Sequence, residues 1–259
     1  MSSANSPFRR VQSAEEFDRA IVDAKAKISA VRSGAWFRGQ RVGAWSLTPG
    51  LFRRGNDSGR EHALFEEFRI KSGLILPEKS TSWRMLYLMQ HFGVPTRLLD
   101  WTETLHVALY FALHGELDKP RLWLLNPYIL TAITTKGSMN PGYATRKEKF
   151  IHDLTDDPDL DYYTRFLEFR DWPFALPLPI YCKRDFTRID RQNGYFTIHG
   201  SLAFGHDERL SRCLQAIQIE GPAIDQLKQR LKDNSIDAFA IFNDLAGLAQ
   251  SLKDKYKLT

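Results

Sequence analysis

"WRMLYLMQHFGVPTRLLDWTETLHVALYFALHG", residues 83 to 115, holds a helix, a stop, a strand and a second helix in close succession. The first helical spacing runs to Gly93, a glycine suited to the C′ position, and Pro95 forbids continuation because it has no backbone N–H. "TRLLDWT" then reads as a buried strand, and "ETLHVALYFALHGEL" places Leu105, Leu109, Ala112 and Leu113 on one helical face. The strand therefore runs straight into a helix, with Asp100 and Thr102 at the turn. Thr102 is read as the cap, its hydroxyl satisfying an orphan backbone donor.

Upstream stands "AWFRGQ", residues 35 to 40. Trp36 and Phe37 favour a strand, and Gly39 removes the side chain where another group can approach the backbone closely. Arg38 either pairs with a carboxylate and lays its stem over the core, or presents its planar fork to a phosphate or ribose. Before it, "SAEEFDRAIVDAKAKISAV" opens on a capping box, Ser13 with Glu16, and spaces Phe17, Ile21, Ala24 and Ile28 as one face of a helix that Gly34 stops. "WSLTPGLFR" reads as an extended piece broken by the Pro49-Gly50 turn, and "EHALFEEFRIKSG" as a helix with Leu64, Phe65 and Phe68 inward and its acidic residues outward.

Downstream, "RLWLLN" is a further strand, and residues 127 to 177 read as an irregular insertion rich in proline and acidic residues. "LPIYC", "GYFTIHG", "CLQAIQIE" and "DAFAIF" read as strands, with helices "AIDQLKQRLKDN" and "DLAGLAQSLKDKY" around the last of them. Helices lead the first half and strands the second, without internal repeats. The expected fold is α+β, a split and mainly antiparallel sheet with flanking helices. The expected organisation is a helical prefix at 1–33 followed by one domain at 34–259.

The 259 residues suffice for a sizeable core, and an apolar share of 43% with 26% charged residues is ordinary for a globular chain, which argues against disorder. No apolar run reaches the roughly 18 to 20 residues that span a bilayer. "MSSANSPFRR" lacks the apolar middle of a signal peptide. The expectation is a cytoplasmic protein with no membrane partner. Cys182 and Cys213 make no C-x-x-C pair, so they are expected as thiols in a reducing compartment, and no metal site is expected. A net charge of +5, with a pI near 9.1, permits an anionic partner. The basic residues gather at 53–60 (Arg53, Arg54, Arg60) and at 183–191 (Lys183, Arg184, Arg188, Arg191), beside Tyr181 and Phe186. Such clusters suit either contact with DNA or RNA or a solvated strand edge blunted by charge.

"WFRGQ" at 36–40, "LMQHFGVPTRLLDWTETLHVALYFAL" at 88–113 and "RQNGYFTI" at 191–198 together resemble the FRG domain family, over roughly residues 30 to 250. In "IFNDLAGLA" the chain has Asn243 before Asp244 where members of that family tend to have a proline. A second resemblance is to the ADP-ribosyltransferase fold, whose split sheet holds NAD by three strand motifs. "WFRG" looks like the first of these, so that Arg38 would clamp the phosphates and ribose, beside Gly39 and Gln40. "LLDWT" running into "ETLHVALYFA" looks like the second, with Thr102 in the hydroxyl position and Thr96, Arg97 and Trp101 around the cofactor. The third has Gln192 where a glutamate is expected; a glutamine is no general base, yet it can hydrogen-bond a ribose hydroxyl.

The resemblance implies an NAD-dependent ADP-ribosyltransferase modifying nucleic acid or protein, in a bacterial toxin or anti-phage setting. Asp100 would supply the missing carboxylate, with Asp190 behind it, and His91 would be available for proton transfer. Two plainer roles stay open: Asp100 as the ion-pair partner of Arg97 or Arg38, and His91 as a capping or core histidine. The alternative function is a binding module that holds a nucleotide or nucleic acid without turnover. A nuclease is a third option, although no metal-ligand spacing stands out.

Overall fold

Short runs of alternating apolar residues build the sheet, and each strand's two faces feed different parts of the core. In the computed structural model, which describes residues 8–32, 34–55, 58–73, 75–76, 80–136, 152–153, 160–181, 194–205 and 207–258, the strands are β1 (Arg9–Val11), β2 (Trp36–Gln40), β3 (Leu98–Thr102), β4 (Arg121–Leu125), β5 (His152–Asp153), β6 (Leu178–Tyr181), β7 (Gly194–Ile198) and β8 (Leu214–Ile219). They form one eight-stranded sheet in the order β1-β8-β4-β2-β3-β7-β6-β5. The pairs β1–β8 and β5–β6 are parallel, and all the others are antiparallel. With helices on both faces, this is the expected α+β architecture.

The sheet is split at its centre. β2 pairs with β4 along its whole length, from Trp36 opposite Leu125 to Gln40 opposite Arg121. β3 pairs with β7 in the same way, from Leu98 opposite Ile198 to Thr102 opposite Gly194. Between β2 and β3 a single registered pair remains, Phe37 with Thr102, so the two half-sheets diverge beyond it.

The helices are α1 (Ala14–Lys27), α2 (Ser58–Ser72), α3 (Ser82–His91), α4 (Leu105–Leu113), α5 (Pro127–Lys136), α6 (Pro222–Asp233), α7 (Ala238–Phe242) and α8 (Leu245–Tyr256), with shorter turns at Gly50–Arg54, Tyr163–Glu168 and Glu208–Arg212. On one face, α1, α4 and α6 cover β8, β4 and β2 through Phe17, Ala112, Leu122, Leu124, Ile217 and Leu227. On the same face, α3 covers β3 and β7 through Leu86, Tyr87, Leu98, Phe196 and Ile198. The opposite face carries a third cluster, in which Leu130 and Ile133 of α5 pack with Trp36, Leu99 and Trp101. α4 and α3 thus stand on either side of the split, on one face of the sheet.

Local chemistry explains the elements and corrects several expectations. Ser13 caps α1, accepting from the Glu16 amide at 3.1 Å. That helix closes at Lys27 and not at Gly34, because Ile28 caps it and Ser29 takes a left-handed φ of 53°. The prefix also contains β1, and α1 shares its core with α4, so residues 9–27 are built into the sheet. The chain turns at Pro49-Gly50 as expected, but the stretch after it, Gly50–Arg54, is a 3-10 turn and not extended. Glu61 points inward although the acidic residues of its helix were expected outward, because Arg97 and the Tyr162 hydroxyl receive it.

The region 127–177 begins with a regular helix. The Asn126 side chain accepts from the amides of Tyr128 (3.0 Å) and Ile129 (3.2 Å), and Pro127 needs no partner at the first helical position. Residues 137–151 and 154–159 lie outside the described residues. "DAFAIF" is the helix α7 and not a strand. Its apolar run is too short for period alone to separate the two, and the Asp237 carboxylate decides by capping the Ala240 amide at 2.8 Å.

A cleft at the split of the sheet

The divergence of β2 and β3 opens a cleft of about 500 Å³. Its floor is the seam between those strands together with Gly194, Tyr195 and Phe196 at the start of β7. One wall is α4, presenting Val107, Ala108, Phe111 and His114; the other is α3 with its stop, presenting Tyr87, Gln90, His91 and Gly93. The α3 stop is a Schellman closure, with the Val94 amide donating to Met89 O at 2.9 Å and Gly93 at φ +77°.

Alternation puts Phe37 and Gly39 on the α4 face of β2 and Arg38 on the other. Gly39 is required by that packing: a Cβ there would lie 1.9 Å from Ala108 O and 2.5 Å from Ala112 N. The group that approaches this glycine is the backbone of α4, made possible by two alanines four residues apart. Gln40 is buried and accepts from Trp123 Nε1 at 2.7 Å, which steadies the strand beside the cleft.

The gap between the strands lets Arg38 reach across it. Its Nη1 donates to Asp100 O at 2.8 Å, a carbonyl that a continuous β2–β3 ladder would otherwise have used, and lies 3.5 Å from Asp100 Oδ2. The Arg38 side chain is only 16% exposed, and its Nε is buried without a hydrogen-bond partner. Burial lowers its pKa from the usual arginine value; Asp100 opposes that shift and Arg53 adds to it. Asp100 itself is 58% exposed at the seam. Gln90 Nε2 donates to both of its carboxylate oxygens, at 3.1 and 2.9 Å.

Of the residues singled out in the sequence, Arg38, Gly39, Gln40, His91, Asp100, Trp101 and Thr102 all line this cleft. Thr102 is not the helix cap. Thr104 holds that position, and the Thr102 hydroxyl accepts from the Thr104 amide at 3.0 Å, shaping the turn before it.

Thr96 and Arg97 do not line the cleft. Arg97 is 5% exposed, paired with Glu61, bonded to the carbonyls of His199 (2.7 Å) and Gly200 (3.2 Å), and stacked 4.0 Å from the Phe166 ring centroid. Its donors are spent on the scaffold. Gln192, Asp190 and the basic cluster 183–191 lie outside the described residues, and Arg53 of the cluster 53–60 lines the cleft.

The sequence reading passed over Arg41, Trp45, Tyr87, Gln90, Phe111, His114 and Tyr195 as cleft residues. Part of the signal was present, since Val107, Phe111 and His114 follow helical spacing on a second side of α4. Among the described residues, the lining carries three arginines, Arg38, Arg41 and Arg53, against one carboxylate, Asp100. Trp45 (43% exposed) and Phe111 (36%) are partly open to solvent, and the Arg41 guanidinium sits over the Trp45 ring, 5.6 Å from its centroid. Positive charge beside exposed aromatic rings suits an anionic, base-bearing ligand.

Among the described residues, no group of three or more His, Cys, Asp or Glu side chains could hold a metal ion, and no helix is long and apolar enough to cross a membrane. Burial pushes the Cys213 thiol up to about 12, which removes it as a nucleophile at neutral pH. Cys182 is outside the described residues.

No curated protein and no solved structure matches the chain. The model of the FRG domain matches residues 33–121. The arginine strand, the Asp100 strand and both walls of the cleft come from the segment that is similar to the FRG domain, while Gly194, Tyr195 and Phe196 of the floor lie beyond it.

Proposed function

We propose that the cleft binds NAD and that the protein is an NAD-dependent ADP-ribosyltransferase. The observation that carries this reading is the Arg38–Asp100 seam, where a guanidinium with a buried, unpartnered Nε lies against an exposed carboxylate. The residues present fit the ligand. Arg38, with Arg41 and Arg53 at the mouth, can engage a diphosphate, and Trp45 and Phe111 can stack a nucleobase. NAD, when bound, supplies an ADP-ribosyl group held to nicotinamide by a labile glycosidic bond.

Arg38 orients the diphosphate by its planar fork. Asp100 would offset the positive charge that develops at the ribose carbon as the glycosidic bond to nicotinamide breaks, and would take the proton that the acceptor gives up on attack. His91 is a second proton acceptor on the α3 wall, and Gln192 is assigned to a ribose hydroxyl. The arginines at the mouth favour DNA or RNA as the acceptor, in a cytoplasmic setting.

A nucleotide-binding module without turnover is the second reading. It is favoured by the same seam, because Arg38 partly neutralises Asp100, the one carboxylate among the described lining residues. Incubation with NAD labelled in the adenylate, with separate pools of DNA, RNA and protein, tests both. Label in one pool and free nicotinamide support the transferase; binding without release of nicotinamide supports the module; no binding at millimolar NAD ends both for this ligand.

A further inference from the structure

Gln90 is a cleft residue with no role in the reading above, and its hydrogen bonds have a fixed direction. The Leu98 amide donates to Thr96 Oγ1 at 3.1 Å and steadies that side chain. The Thr96 hydroxyl donates to Gln90 Oε1. With its oxygen turned to Thr96, the Gln90 amide presents its NH₂ to Asp100, where both carboxylate oxygens accept from it. A side chain on α3 is thereby tied at one end to the segment just before β3 and at the other to a carboxylate within that strand.

We propose that Gln90, locked by Thr96, is a positioning residue that holds the Asp100 carboxylate in place in the cleft. The geometry supports this over a merely structural tie. Thr96 is 2% exposed and fixed by the strand, whereas Asp100 is 58% exposed and would otherwise turn freely into solvent. Arg38 cannot do the same work, since it donates chiefly to the Asp100 carbonyl and stands 3.5 Å from the carboxylate. A carboxylate that must face a reacting carbon gains from being held before the ligand arrives. The role in turnover rests on the transferase reading; the relay itself does not.

The test uses the full chain and two kinds of readout. In ¹H–¹⁵N spectra without ligand, the Gln90 side-chain amide should exchange with water about tenfold or more slowly than exposed glutamines. Thr96→Val and Asp100→Ala should each remove that protection, and Thr96→Ser, which keeps the hydroxyl, should retain it. A Gln90 amide that exchanges like an exposed glutamine in the parent chain overturns the proposal, whatever the activity.

In NAD turnover, Gln90→Leu and Thr96→Val should lower kcat by about 10- to 100-fold, with KM for NAD within about twofold and Thr96→Ser near the parent. An unchanged kcat, or an equal loss in kcat and affinity, would remove Gln90 as a positioning residue. If Gln90→Leu does not fold, the Thr96 pair carries the comparison. A parent chain with protected Gln90 but no turnover leaves the relay standing and removes the transferase reading.

Discussion

Arg38 of β2 donates to the backbone carbonyl of Asp100 of β3 at 2.8 Å, across two strands joined by one registered pair. A side chain stands where a ladder hydrogen bond would be. The seam is therefore held by a group that a ligand can recruit, and the residues on either side of it carry opposite charge.

Replacing Arg38 tests the ligand. A guanidinium makes two parallel bonds to a phosphate where an ammonium makes point contacts, so Arg38→Lys should weaken NAD binding by about tenfold and Arg38→Ala by about 100-fold. Calorimetry on folded variants checks this. Equal affinity in all three proteins would take Arg38 out of the site.

Asp100→Asn separates chemistry from scaffold. Because Asp100 is exposed and only loosely paired with Arg38, the loss of charge should cost about 1 kcal/mol of stability or less. Turnover should fall by orders of magnitude, with little change in NAD affinity, because the charge matters mainly as the glycosidic bond breaks. Thermal melts and labelled-NAD assays on one preparation decide the matter; wild-type turnover would dismiss Asp100 from the mechanism.

Gly39→Ala should destabilise the chain by about 3 kcal/mol or more, since the new methyl would meet the backbone of α4 and no rotamer change can relieve it. Urea unfolding measures the loss. A variant of near-parent stability would show that α4 can slide away from β2.

His199 sets a pH dependence. It is fully buried, its Nε2 lies 3.1 Å from the Thr197 hydroxyl, and burial, aided by Arg97 and Arg38, pushes its pKa from 6.5 down to about 3. The unfolded chain protonates this group below about pH 6.5 while the folded chain does not. Its contribution to stability is therefore fully present above pH 6.5 and is lost as the pH falls toward 3, by up to about 1.4 kcal/mol per pH unit. His199→Gln should flatten the stability profile across that window; an unchanged slope would mean that other groups set it.

Much of this protein is written locally. The Ser13 cap, the Gly93 stop, the strand after Pro95 and the helix from Leu105 each follow from a few adjacent residues, because caps, φ limits and periodicity act over one or two turns. Thr102 could be picked out for the same reason, since it closes β3, whereas Arg38 and Asp100 stand mid-strand and stood out as charged residues inside apolar runs. Where two local rules competed, as in "DAFAIF", the reading failed, and a cap bond decided it.

Tertiary structure alone decided the rest. That Arg97 is spent on Glu61 while Arg38 faces the cleft cannot be read from two arginines that each lie in a strand-like run, because burial and partner come from segments 36 and 62 residues away. The reason for Gly39 lies in α4, and the direction of Gln90 in the two groups it joins, Thr96 and Asp100. Sequence fixes which way a residue's own backbone turns. Which neighbour it meets depends on how the half-sheets diverge, a property of the whole sheet that no single stretch contains.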